Sequence, residues 1–429
     1  MESALADAKA AFVAGNPKSR ARFEAAARVM PGGNTRTVLF YDPFPLCIAR
    51  GDGARLWDVD GHSYLDFLGE FTAGIFGHSD PRIRAAIDAA LDGGINLSGH
   101  NTLEVELAEI VCARFPAIER VRFTNSGTEA NLLALAAATV HTGRRKVMVF
   151  QGAYHGGVLS FGAGPAPVNV PHDWVMAPYN DLARAEALIA EHANALAAIL
   201  VEPMLGAGGC IPGDPAFLAG LRAAATRHGI VLIFDEVMTS RLSPGGRQGE
   251  LGIAPDMTTL GKYIGGGSSF GAFGGRADIM RRFDPREPGA LTHAGTFNNN
   301  VISMAAGIAG MTKVLTPEAI RALNARGDRL RDGLNAIFRR RGAKLTATGL
   351  GSIIGLHGTD RPVRTLDDLA AADPAIKDLV FFDVVARGYY IARRGFIALS
   401  LPLTDADIDG LAAALDDIVA SHGSLLLRS

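Results

Sequence analysis

Between residues 120 and 275 short apolar runs alternate with helical stretches, and this rhythm constrains the fold more than any other feature of the chain. The runs are Val121-Arg122-Phe123, Val147-Met148-Val149-Phe150, Ala198-Ile199-Leu200-Val201, Ile230 to Phe234, and Phe270-Gly271-Ala272-Phe273. Helical segments, notably 129–141, 182–192 and 215–228, lie between several of them. Parallel neighbours in a sheet need long crossovers, which helices supply. The rhythm therefore predicts an α/β fold whose mainly parallel sheet carries helices on both faces. Ligands of such sheets bind beyond the carboxyl ends of the strands. Three polar groups fall at such ends: Asn125-Ser126-Gly127-Thr128, Gly152-Ala153-Tyr154-His155, and Asp235.

The flanks read differently. Residues 1–30 are Ala-rich with interspersed Arg and Lys, and predict one helix ended by Pro31-Gly32-Gly33. Residues 45–68 predict a small antiparallel element, with Asp60-Gly61 as its hairpin turn. Helices return beyond 305, at 317–340 and 405–418. A chain of 429 residues exceeds one ordinary core. The expected division is a large domain over 71–304 and a smaller α+β domain built from 1–70 and 305–429.

Charge and cysteine usage narrow the function. The net charge is -2 and no long basic run occurs, so nothing predicts contact with nucleic acid or an anionic membrane. No window reaches the roughly 18 consecutive apolar residues of a membrane span. Cys47, Cys112 and Cys210 are far apart and form no paired motif, which fits a reducing compartment. A cytoplasmic location is the expectation.

Two residues suggest the chemistry. The run Ile230 to Phe234 ends abruptly in Asp235-Glu236, and a second short segment ends in Gly261-Lys262 before Gly265-Gly266-Gly267. A strand-end Asp can hold a pyridine nitrogen protonated, and a nearby lysine can form a Schiff base with an aldehyde; both suit pyridoxal phosphate. The same residues also suit a helix cap and a surface lysine. Ser126 and Glu129 have capping-box spacing, yet a helix start with Gly127 and Thr128 also offers N–H groups to an anion. Gly261-Lys262 is followed by Tyr263, so it is no nucleotide-binding loop. Tyr154 can stack on a planar ring. His155 has no partner at metal-ligand spacing, so no metal is assigned. Thr296, in the polar stretch Gly295 to Asn300, is a further phosphate donor or an ordinary loop residue. Arg36 and Arg394, in apolar surroundings, suit a substrate carboxylate if they face the cavity.

Taken together, these motifs resemble the class III aminotransferases of the fold-type I pyridoxal phosphate superfamily. Asn125-Ser126-Gly127-Thr128-Glu129-Ala130, Val201-Glu202-Pro203-Met204, Phe234-Asp235-Glu236-Val237-Met238-Thr239 and Leu260-Gly261-Lys262 occur in the family's order and spacing. Pro31-Gly32-Gly33 and the Asp-Glu-Val-Met-Thr wording point to the glutamate-1-semialdehyde aminomutase branch. Within it, Thr37 to Tyr41, Gly93 to Leu97, Tyr263 to Gly267, Gly295 to Asn300 and Leu399 to Asp407 are similar to bacterial β-phenylalanine aminotransferases.

The resemblance implies a seven-stranded, mainly parallel sheet and a homodimer with shared active sites. It implies Lys262 as the Schiff-base lysine and Asp235 as partner of the pyridine nitrogen. Val237 and Tyr154 would cover the two ring faces. Ser126, Gly127 and Thr128 would hold the phosphate, with Thr296 arriving from the neighbouring subunit. Glu202 and His155 would support the ring from behind. Arg36, Met238 and Arg394 would meet the substrate. Arg393 stands where relatives carry proline, so either it or Arg394 reaches the substrate, and Arg394, beside Gly395, is preferred. The implied reaction is transamination of an aromatic β-amino acid, the S enantiomer, with 2-oxoglutarate or pyruvate. Glutamate-1-semialdehyde 2,1-aminomutase and a non-catalytic pyridoxal phosphate-binding protein are the alternatives.

Overall fold

The computed structural model describes residues 1–427. Its centre is the expected seven-stranded sheet, in the order Arg120–Thr124, Gly271–Gly275, Met257–Gly261, Val231–Asp235, Leu196–Val201, Lys146–Phe150, Asp173–Ala177. Gly271–Gly275 is antiparallel to both neighbours, and the pairings from Met257–Gly261 to Asp173–Ala177 are parallel. Every residue of Leu196–Val201 and Val231–Asp235 is buried. Strands covered on both faces have no wet side, which is why they read as unbroken apolar runs.

Asp173–Ala177 was not among the expected strands. It lies at the sheet's edge and buries only Val175 and Ala177, so it never forms a run that stands out from the polar text around it. A second difference lies at the N-terminus. The expected single helix is two, Glu2–Gly15 and Pro17–Ala27, joined at Asn16 with φ -126° and ψ 52°. Pro17 has no N–H to continue a helix and pushes the residue before it out of the helical region, while it starts a new helix well.

Helix Gly127–Thr142 packs on the strands Met257–Gly261 and Gly271–Gly275. Its buried face is Ala130, Asn131, Ala134, Leu135, Ala137 and Ala138, small enough for a close approach to the sheet. The hairpin Arg55–Asp58 to Ser63–Asp66 turns at Asp60-Gly61, with Gly61 at φ 101°. Tyr389–Tyr390, from far along the chain, pairs in parallel with this hairpin's second strand. The rings of Phe12 and Phe382, 5.3 Å apart, join the two ends of the chain in one core. Among the described residues no helix is long and apolar enough to cross a membrane.

Candidate active site

The carboxyl ends of three central strands coincide. Asp235 pairs in register with Thr259, and Phe234 with Val201, so Asp235, Glu202 and Lys262 emerge from one edge of the sheet. Asp235 is buried. Its Oδ2 accepts from Asn131 Nδ2 and from His155 Nδ1, both at 2.8 Å, and its Oδ1 accepts from the Val237 N–H at 3.0 Å. A carboxylate only accepts, so His155 carries its proton on Nδ1. Asn131 is itself fixed, accepting from Thr259 Oγ1 at 2.7 Å and donating to the His155 carbonyl at 2.9 Å. Three of the four acceptor positions of Asp235 are used by the protein, and Oδ1 keeps one for a further donor.

Above this carboxylate two glycines lie so close to neighbouring side chains that a Cβ would not fit. A Cβ added at Gly127 would lie 2.8 Å from Val237 Cγ2. Gly156, at φ 129°, touches Thr128, whose Oγ1 accepts from the Gly157 N–H at 3.3 Å. Ser126 caps the helix, accepting from the Glu129 N–H at 3.2 Å. The capping box is incomplete, because Glu129 accepts from the N–H of Asn125 rather than that of Ser126.

Lys262 sits just past its strand with φ 55°, a left-handed conformation costly for any residue but glycine. Nζ donates to the Phe71 carbonyl at 2.7 Å. Burial lowers its pKa to about 8, with Arg394 lowering it further while Asp235 and Glu202 oppose. Glu202 is buried and accepts from the Tyr154 and Gly206 N–H groups at 2.9 and 3.0 Å. Burial raises its pKa to about 7, and His155 partly offsets the rise. The ring of Tyr154 is exposed, and Met238 lies against Gly206.

The opposite wall is a turn of unusual backbone. Gly69, Glu70, Phe71 and Thr72 all have positive φ, at 51°, 46°, 51° and 82°. Three of these are not glycine, at about 1–2 kcal/mol each. Contacts hold the turn in place: Asp66 accepts from the Leu68 and Gly69 N–H groups, and the fully buried Arg241 donates to the Thr72 carbonyl. Glu70 pairs with Arg36 at 2.7 Å. The guanidinium of Arg394 lies 5.1 Å from the Phe71 ring centre and 5.5 Å from that of Phe396. Among the described residues no carboxylate pairs with it, and burial lowers its pKa. Arg393 is engaged elsewhere, 3.0 Å from Asp378.

The chain matches the family model for class-III aminotransferases over residues 40–373. The chain is a class III aminotransferase. It is 58% identical over 429 residues to a β-phenylalanine transaminase of Variovorax paradoxus, covering 100% of this chain and 99% of that one. The solved β-phenylalanine aminotransferase structure from Variovorax paradoxus superposes with a TM-score of 0.98 at 58% identity, with coverage of 100% and 99%. A transaminase solved with PLP bound is 33% identical, with a TM-score of 0.87 and coverage of 95% and 99%.

The aminotransferase's own residues fit pyridoxal phosphate. The spare acceptor position of Asp235 suits a ring N–H, and the glycine-lined helix start beside Val237 leaves room where a Cβ would intrude. Thr296 is the exception to this grouping. It lines a separate cavity of about 940 Å³ with Ile95, Leu97, Val105 and Phe297, and that cavity includes neither Lys262 nor Asp235.

Sequence reasoning gave no role to Asn131, Thr259, Phe71 or Glu70. Asn131 left one readable signal, a polar residue at a position where its helix otherwise buries alanine and leucine. The others left none, since a strand-end threonine and a phenylalanine in a loop have many uses.

Proposed function

We propose that this aminotransferase moves the amino group of an aromatic β-amino acid of the β-phenylalanine type, as the S enantiomer, to 2-oxoglutarate or pyruvate. The products are a β-keto acid and glutamate or alanine. The observation that carries this reading is the 58% identity along the whole chain to the Variovorax β-phenylalanine transaminase.

In this reading Ser126, Gly127 and Thr128 hold the phosphate of pyridoxal phosphate, and Val237 and Tyr154 cover the ring. Asp235 keeps a proton on the ring nitrogen, and Asn131, His155 and Glu202 hold that edge rigid. Bound pyridoxal phosphate supplies an electron sink for the carbon that loses its proton. Lys262 Nζ removes the proton from the amino-bearing carbon of the β-amino acid, and delivers one to the matching carbon of the keto acid acceptor. Its lowered pKa supports that role, since a base must be neutral to act. Arg36 holds the carboxylate of the β-amino acid, and Met238 lies on the substrate side. Arg394 binds the second carboxylate of a dicarboxylic acceptor and moves aside for the aryl group. The Phe71 and Phe396 rings support this, because they give the guanidinium a cation–π resting place.

The reading includes a homodimer in a cytoplasmic setting, with residues 1–70 and 305–429 forming the small domain and 71–304 the large one. Ile95, Leu97, Val105 and Phe297 are exposed around the cavity that holds Thr296, which supports coverage of this face by a second copy. Thr296 of the partner subunit would then complete the phosphate site.

The test is a panel of aromatic β-amino acids, α-amino acids and glutamate-1-semialdehyde, each with and without 2-oxoglutarate. β-Phenylalanine should turn over only with an acceptor present. Turnover of the semialdehyde without acceptor would make the enzyme an aminomutase instead.

A further inference from the structure

We infer that Glu70 is an internal competitor for the carboxylate site, occupying the Arg36 guanidinium until a substrate carboxylate displaces it. The inference rests on the reading of Arg36 as the carboxylate holder. Three observations carry it. Glu70 Oε1 is 2.7 Å from Arg36 Nη2, the distance of a carboxylate bound to guanidinium. Both side chains remain open, 48% and 57% exposed, so the pair can exchange partners without breaking a core. An exposed ion pair adds little to stability, yet this one stands on three consecutive non-glycine residues in the left-handed region. Such backbone persists where surrounding contacts fix it, and it gathers at functional sites.

The turn joins the two halves of the site. Glu70 faces Arg36, and the next residue, Phe71, offers its carbonyl to Lys262 Nζ and its ring to Arg394. A carboxylate arriving at Arg36 therefore releases a residue whose neighbour holds the amine. Molecules that bring a carboxylate can displace Glu70. Simple arylalkyl amines cannot, and for them the Arg36 position stays filled. Glu70 thereby selects for amino acids over amines while weakening the affinity for every carboxylate.

The probe is 3-phenylpropionate, an aryl carboxylate with no amine to transfer, measured as an inhibitor of the holoenzyme. Glu70→Gln should bind it about two- to fivefold more tightly than wild type, the scale of an exposed ion pair. Binding of 1-phenylethylamine, which lacks a carboxylate, should not tighten. In an Arg36→Met background the same change should have no effect on either compound. Unchanged or weaker binding of 3-phenylpropionate by Glu70→Gln, with Arg36→Met still losing it, overturns the competitor role alone. If Arg36→Met binds 3-phenylpropionate as wild type does, the assignment of Arg36 itself fails, and the competitor role with it.

Discussion

The Asp235 corner and the Gly69–Thr72 turn face each other across Lys262, and they are built on opposite plans. At the corner a buried carboxylate is fixed by Asn131, His155 and the Val237 N–H, with Thr259 holding Asn131 in turn. The contacts of Asp235, Asn131 and Thr259 there support one another. At the turn the backbone is in a costly conformation, and the groups it presents, Glu70 and the Phe71 ring, pair with arginines that other anions can claim. The cofactor side of such an enzyme performs one task throughout both half-reactions. In the proposed reaction the substrate side must accept an aryl ring and then a second carboxylate. Rigidity suits the first requirement and exchangeable contacts the second.

That contrast can be broken by mutation. The largest effect should come from Lys262→Ala, between the two regions, which removes the proposed base. Turnover should fall about 10²–10⁴-fold or more, and the visible absorption band of the holoenzyme should be lost. Near-normal transamination would end the assignment. Asp235→Asn should cost about 10²–10³ in rate with little change in KM, because it weakens an electrostatic contact needed for the chemical step. A loss under threefold would mean that the rigid corner is structural only. Arg394→Ala should impair the half-reaction with 2-oxoglutarate by roughly 1.5–3 kcal/mol more than that with the β-amino acid. Equal slowing in single-turnover kinetics would contradict exchangeable binding, and a selective defect in Arg393→Ala would shift the role to its neighbour. Asn131→Ala should lower unfolding stability by about 1–3 kcal/mol, since it leaves Thr259 Oγ1 and Asp235 short of partners in a buried site. A change in denaturation midpoint near zero would show that the corner is not rigid. The smallest effect is with pH. Lys262 is lowered from the usual lysine value to about 8, so its neutral form grows as pH rises, is about half of the total at that point and is nearly complete about one to two units higher. Capture of pyridoxal phosphate by apoenzyme should accelerate by about tenfold per pH unit below 8 and then level off. A rise that continues towards pH 10 would mean an ordinary, solvated lysine.

The core side of this arrangement was largely legible in the chain. Buried parallel strands write themselves as apolar runs, and Asp235 and Lys262 stand out because each interrupts one. The sheet's edge was not legible, because Asp173–Ala177 buries only alternate residues. The break at Asn16 was written in Pro17 and lies hidden in otherwise helical text. Asn131 becomes a partner of Asp235 only when its helix packs on the sheet, 104 residues apart in sequence. The turn at 69–72 is the hardest case. Sequence rules reserve positive φ for glycine, asparagine and aspartate, so Glu70-Phe71-Thr72 gives no hint of its own conformation. Contacts from Asp66 and Arg241, distant in the chain or buried, override the local preference.

Lys262 carries a backbone angle that glycine would adopt freely. Folding alone would thus favour glycine at this position, and the lysine side chain is carried at a cost in backbone energy. A relative that lost the need for the amine would be expected to lose the side chain first and the loop's shape last. Descendants with glycine after Gly261 would then mark lineages that kept the fold and abandoned the reaction.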